Sequence, residues 1–78
     1  MTIPEILQRA KGHRTDAEGT VWLEPPLQLF HAPSGKPVTV AAIQAIVHGL
    51  GSNILVTKMG NEETNSWFDP MYLQPVRQ

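Results

Sequence analysis

The stretch from Lys36 to Met59 holds the longest supply of aliphatic and β-branched residues in the chain, and it therefore constrains the fold most. Its first half has two interpretations. Read as a helix, it places four apolar residues at i, i+3, i+4 and i+7. These residues are Ile43, Ile46, Val47 and Leu50. Thr39 would then cap the helix and Gly49 would end it.

Read as a strand, the same residues need one irregularity. Val38, Val40 and Ala42 alternate with their neighbours, and one extra residue must bulge after Ile43 to keep Ile46 on a compatible face. Val, Ile and Thr supply six of the ten residues from 38 to 47. Because branching at Cβ restricts χ1 in a helix and suits a pleated surface, this composition favours the strand. We predict that residues 41 to 47 are extended, with the helix as the alternative.

The second half of the stretch predicts a turn and another strand. The turn is GLGSN at residues 49–53, and the strand runs from Ile54 to Met59 with apolar residues on both faces. We expect a strand with two apolar faces to be central in its sheet. Residues 60–65 then form a hairpin-like connection, and residues 66–68 (SWF) return as a strand.

The amino-terminal residues predict a short amphipathic helix from about Ile3 to Lys11. Thr2 and Glu5 form a capping box, and Pro4 lies in the first turn, where its missing N–H costs nothing. The apolar residues at i, i+3, i+4 and i+7 form one stripe, and Gly12 follows as a stop. That stripe comprises Ile3, Ile6, Leu7 and Ala10. A helix this short is not stable alone, so we expect it to dock through Ile3, Ile6 and Leu7.

The remaining segments are short and rich in turn residues. Residues 13–19 are polar and predict a loop, and residues 20–23 predict a strand that Pro25 and Pro26 cut short. Residues 27–31 resume the extended run, and residues 71–76 close the chain as an extended or single-turn segment. We therefore predict a mainly β (α+β) fold. A helix precedes a four- to five-stranded antiparallel sheet that curls toward a small SH3-like barrel.

Length and composition limit the class of protein. The 78 residues predict a single domain spanning 1–78, with a helix in 1–12 and a β-meander in 20–76. No apolar run reaches the length of a membrane span, and the amino terminus does not resemble a signal peptide. The absence of cysteine excludes disulfides and agrees with a cytoplasmic protein. A net charge of −1 argues against a protein whose main role is to neutralise phosphates.

One resemblance covers about half of the chain, from Leu27 to Trp67. This part contains, in order, a strand LQLFH, a turn SGKP, the run VTVAAIQAIV, the segment GSNILV and a returning strand. The order resembles that of the small β-proteins of the FlbD type and of similar short proteins of phages and prophages. The resemblance implies a small accessory protein, which a phage or prophage would encode. The chain departs from this pattern at the amino-terminal helix and at the proline-rich carboxyl end, so no functional residue is carried over.

The sequence carries no catalytic or cofactor motif. His13, His31 and His48 are 18 and 17 residues apart and lack the close spacing of zinc ligands. The GLGS segment has neither the lysine of a P-loop nor the third glycine of a dinucleotide-binding motif. We therefore expect no enzyme activity, no cofactor and no metal site.

The group of large apolar residues near the carboxyl end is the candidate binding site. It comprises Trp67, Phe68, Met71 and Tyr72. A core this small cannot hold all four, and adjacent residues on a strand face opposite ways, so either Trp67 or Phe68 should be exposed. The alternative is that the group closes the bottom of the barrel and packs against the amino-terminal helix. We predict a noncatalytic protein-interaction protein, of adaptor or inhibitor-like type, that binds a protein partner or a second copy through this group.

A nucleic-acid-binding small barrel is the alternative function. It would use the basic residues with Trp22 or Trp67 as a stacking platform. Those basic residues are Arg9, Lys11, Arg14, Lys36 and Lys58. We expect no membrane association.

Overall fold

The structure is a computed structural model that describes residues 1–45 and 52–76. Within them, one short helix precedes six antiparallel strands, so the protein is mainly β as predicted. The elements are helix α1 (Ile3–Arg9) and strands β1 (His13–Thr15), β2 (Val21–His31), β3 (Lys36–Ala45), β4 (Ser52–Met59), β5 (Glu62–Phe68) and β6 (Leu73–Pro75), with a 3₁₀ turn (Pro70–Tyr72) before β6. None of the described helices is both long and apolar enough to cross a membrane.

Strands β2 to β5 form an antiparallel meander, and the chain then returns to β2. Strands β1 and β6 pair with opposite halves of β2, along the side away from β3. The rings of His31 in β2 and Phe68 in β5 lie 4.9 Å apart, although these strands are not paired in the sheet. The described sheet is therefore curled toward a small SH3-like barrel without closing, which confirms the predicted fold class.

Strand β3 confirms the extended interpretation of the organising stretch as far as Ala45, and the helical alternative is wrong for these residues. Ile46 and Val47 lie outside the described residues. The bulge predicted after Ile43 is wrong within the described residues, because β3 pairs regularly with β4 from residue 43 to residue 45. The extra residue is Ala41. It allows Val40 and Ile43, three residues apart, both to face the core.

Two predictions about the first half of the sheet are corrected. Residues 13–15 are strand β1 rather than loop, paired with residues 21–23. All three side chains of β1 are exposed, so no alternation of apolar residues could indicate it. Strand β2 also continues through Pro25 and Pro26 instead of stopping. The register of its pairing with β3 shifts between Trp22 and Leu27. The extra residues of β2 in this bulge include both prolines, which have no backbone N–H to donate to β3.

The amino-terminal helix docks as predicted, although it ends at Arg9 and is capped by Ala10. The capping box between Thr2 and Glu5 is present. Ile6 is completely buried, and the other predicted apolar residues of the helix are half-buried against the core. The Met1 nitrogen also donates to two carbonyl oxygens of the carboxyl-terminal segment, those of Pro70 and Leu73, each at 2.9 Å.

One hydrophobic cluster lies between the helix and the inner face of the curled sheet. It comprises Ile6, Leu23, Leu29, Val38, Val40, Ile43, Ile54, Val56 and Leu73. Its members come from α1 and from strands β2, β3, β4 and β6. Strand β4 lies between β3 and β5, as expected for a strand with two apolar faces.

Replacing Ile6 with Ala should lower the free energy of unfolding by about 2 to 5 kcal/mol, because the side chain is completely buried in the core. Leu7→Ala should cost less, since Leu7 is only half-buried. Urea unfolding measures both changes. Gln8→Ala, on the exposed side of the same helix, is the control and should stay within about 0.5 kcal/mol. Equal stability of Ile6→Ala and the control would mean that the helix does not dock.

Candidate functional site

The structure separates the four residues of the predicted binding group. Phe68 faces inward, where it packs against the core and the His31 ring. Trp67, its neighbour, faces the other side of the sheet and is 44% exposed. Met71 and Tyr72, in the 3₁₀ turn, are 67% and 47% exposed. Of the adjacent pair on β5, Trp67 is therefore the exposed residue.

Trp67 ends a row of side chains that crosses the whole sheet on its outer face. Residues directly opposite each other on antiparallel strands project from the same face, so the strand register identifies the row. Each member is paired with the next across one strand boundary. From β1 to β5, this outer row comprises Arg14, Trp22, Ala42, Leu55 and Trp67.

The next residues along β2 to β5 form a parallel row on the inner face. They are Val21, Ile43, Ile54 and Phe68. All four belong to the core cluster or pack against it, whereas no member of the outer row does. Ala42 is nevertheless completely buried, since Trp22 and Leu55 flank its small side chain. The outer row is therefore a second apolar cluster, separated from the core by the sheet itself.

Trp22 is held in place at the β1 end of the outer row. Its indole N–H donates to Asp16 Oδ2 at 2.9 Å, and the Arg14 guanidinium lies 6.0 Å from the centre of its ring. The Asp16 Oδ1 atom accepts the backbone N–H groups of Glu18 and Thr20, each at 2.9 Å. The hydrogen bond from the indole, followed by that from Thr20, lowers the pKa of Asp16 below its ordinary value of 3.8.

Polar residues border the outer row on both sides. Toward the β2–β3 turn, Gln28 Nε2 donates to Thr39 Oγ1 at 2.9 Å, and Lys58 faces Glu63 across β4 and β5. Gln28, Thr39, Lys58 and Glu63 are one polar row in register across four strands. Toward the other end of the sheet, Gln44 pairs with Asn53. The outer face therefore has an apolar centre with a polar rim.

The basic residues of the alternative function do not form one surface. Arg9 ends the helix, Lys11 follows it, Arg14 lies in β1, Lys36 begins β3 and Lys58 lies in β4. The two on the outer face each lie beside a carboxylate. The Arg14 Nε donates to Glu24, and Lys58 faces Glu63. The outer face is therefore mixed in charge rather than basic.

The two described histidines lie on different strands, and neither is a member of the outer row. His13 is exposed in β1, and the buried His31 has its Nδ1 atom 2.7 Å from Ser34 Oγ. His48 lies outside the described residues. In the part of the chain that the structure describes, no three His, Asp or Glu side chains are grouped as metal ligands would be.

Trp67 was predicted from the sequence, whereas Ala42 and Leu55 were not, and Trp22 was predicted only for the alternative function. A signal was present, because every strand of the meander carries two adjacent apolar residues. These pairs are Val21–Trp22, Ala42–Ile43, Ile54–Leu55 and Trp67–Phe68. Adjacent apolar residues on a strand imply two apolar faces, but the register is needed to align the pairs.

Comparison with known proteins identifies no relative: no family model, curated protein or solved structure matches the chain.

Replacing Asp16 with Asn should destabilise the protein near neutral pH, because the carboxylate that accepts three hydrogen bonds is lost. The folded state lowers the pKa of Asp16, so this stabilisation is complete above the unfolded pKa and disappears as pH falls through the folded pKa. The difference in free energy of unfolding between the wild type and Asp16→Asn should therefore shrink in acid. Urea unfolding from pH 7 down to pH 2 measures it.

Glu18→Gln is the matched control, because it removes one negative charge from an exposed side chain of the same turn. Its effect should be smaller at neutral pH. A difference for Asp16→Asn that does not change with pH would contradict the role given to the Asp16 carboxylate.

Proposed function

We propose that this protein is a small noncatalytic interaction protein, of adaptor or inhibitor-like type, that binds a protein partner through the outer row with Trp67 as its anchor. One observation carries the proposal. Trp67 is 44% exposed at the end of an apolar row that lies on the side of the sheet away from the core. The core does not require this side chain, whereas a partner would cover it.

The composition of the outer face supports binding to protein. Protein interfaces combine an apolar centre, enriched in aromatic residues, with a polar rim. Trp22, Leu55 and Trp67 supply such a centre, and the polar rows on both sides supply the rim. Tryptophan is also among the residues that dominate binding energy when a partner buries them.

Met71 and Tyr72 provide a second part of the proposed surface. Both are exposed in the 3₁₀ turn that follows β5. Phe68 supports the surface from beneath, because it anchors the end of β5 to the core beside His31. The resemblance to small FlbD-type and phage-encoded proteins agrees with an accessory role in the cytoplasm of a phage host.

Nucleic-acid binding is the second candidate function. Trp22 and Trp67 share one face with Arg14, as a stacking platform would require. We rank it below protein binding because Arg14 pairs with Glu24 and the net charge is −1.

Replacing Trp67 with Ala should weaken capture of a protein partner by about 2 kcal/mol, a factor of about 30, because the anchor is lost. Immobilised wild type and variant are incubated with lysate of the host cells, and retained proteins are quantified as the immobilised concentration is varied. Circular dichroism verifies that the variant is folded. Tyr72→Ala, measured in parallel, shows whether the turn takes part.

Gln28→Ala is the control, because Gln28 is an exposed polar residue on the same face. It should leave capture unchanged. Equal retention of every captured protein by the wild type and Trp67→Ala would contradict the proposed anchor. Binding of a labelled single-stranded oligonucleotide at about 50 mM salt, lost steeply as salt rises, would instead support the nucleic-acid function.

A further inference from the structure

We propose that a polar depression in the outer face, beside Trp67, binds a neutral saccharide whose ring lies on the Trp67 indole. The proposal goes beyond the protein-binding function, because it assigns a small-molecule site that shares only Trp67 with the outer row. It follows from three features of the outer face: the divergence of three strands, the charges that line the depression, and the position of Trp67 at its end.

The depression lies where strands β3, β4 and β5 diverge. Two successive sets of paired residues bound this part of the sheet. Between them β3 advances by one residue (39–40), β4 by two (56–58) and β5 by three (63–66). Because the three strands cross the same interval with unequal numbers of residues, their spacing is irregular there. Irregularities of this kind redirect side chains and are common beside functional sites.

Six polar residues of these strands line the depression, which has a volume of about 500 Å³. They are Thr39, Thr57, Lys58, Glu63, Thr64 and Asn65. Together they supply three hydroxyls, an amide, an ammonium and a carboxylate, so the lining offers both donors and acceptors. Small-molecule sites have volumes of about 300 to 1,000 Å³. The depression therefore has the size of a ligand site, and its lining suits a ligand rich in polar groups.

The charges that line the depression favour a neutral ligand. Lys58 and Glu63 face each other in the pairing of β4 with β5. In the part of the chain that the structure describes, Arg14 and Glu24 form an ion pair, whereas Lys58 and Glu63 do not. A ligand with a net charge would meet a repelling group as well as an attracting one. Hydroxyl groups can instead accept from the ammonium and donate to the carboxylate at the same time.

Trp67 adds an apolar surface at one end of the depression. Along β5, Glu63, Asn65 and Trp67 are exposed, while the residues between them are half-buried. Two residues of a strand span about 7 Å, so Trp67 is the next residue on the outer face beyond Asn65. A pyranose ring has a face made largely of C–H groups, which pack favourably on the negatively polarised face of an indole. The combination of this surface with donors and acceptors is what a saccharide requires.

Titration of the wild type by NMR tests the site, because each of the two tryptophans gives its own indole N–H resonance. The probes are glucose, galactose, mannose, rhamnose and N-acetylglucosamine, and the spectrum of Trp67→Ala assigns the two resonances. At least one sugar should shift the Trp67 resonance saturably, with a dissociation constant of about 1 to 10 mM, and leave that of Trp22 in place. The absence of a saturable shift with all five sugars up to about 50 mM would overturn the proposal.

Substitutions at the lining test which residues hold the sugar. Asn65→Ala and Glu63→Ala should each raise the dissociation constant at least about fivefold, because each removes a hydrogen-bonding group from the lining. Gln44→Ala is the control, since Gln44 is an exposed polar residue on the other side of the outer row, and it should leave the constant unchanged. The backbone spectrum verifies that each variant is folded. Wild-type affinity in both lining variants would overturn the site.

Charged sugars test the inference from charge. Glucose 6-phosphate and glucosamine should bind no more tightly than glucose, and binding of either that is about tenfold tighter would contradict a neutral ligand. Asn65→Ala separates this site from the proposed function, because it should weaken saccharide binding and keep the partner captured from lysate, whereas Trp67→Ala should weaken both. If no saccharide binds while capture still depends on Trp67, the saccharide site alone is wrong.

Discussion

The extra residue at Ala41 determines which side chains of the central strand β3 face the core. Without it, Val40 and Ile43 would project from opposite faces, since they are three residues apart on a strand. With it, both enter the core, and Ala42 is turned to the outer face between Trp22 and Leu55. On β3, this bulge therefore places Ile43 in the inner row and Ala42 in the outer row. Further register shifts lie at Thr57 of β4 and between Trp22 and Leu27 of β2.

The two faces are stabilised in different ways. The inner face has a helix to cover it, and Ile6 completes a continuous core. On the outer row, Asp16 and Arg14 contact Trp22 at one end, and Trp67 is exposed at the other. Removing Trp67 from water would therefore require contact with another molecule, and this asymmetry is the physical basis of the proposed function.

Local signals in the sequence predicted the elements whose stabilisation is local. The capping box, the helical stripe and the β-branched composition of residues 38–45 all correspond to observed structure. Strand β1 was not predicted, because an exposed edge strand of three residues shows no alternation of apolar and polar side chains. The position of the bulge and the alignment of the outer row depend on pairing between residues far apart in the chain. Trp67 and Phe68 also could not be distinguished by composition, because only the register assigns each its face.

The central claim is that the outer row is separate from the core, and the unfolding free energies of Trp67→Ala and Phe68→Ala test it most directly. The residues are adjacent on β5 and similar in apolar character, so they differ mainly in the face they occupy. Urea unfolding at a protein concentration low enough to keep the chain monomeric should show a loss of about 2 kcal/mol or more for Phe68→Ala and less than about 1 kcal/mol for Trp67→Ala. A larger loss for Trp67→Ala would place the tryptophan in the core and contradict the account.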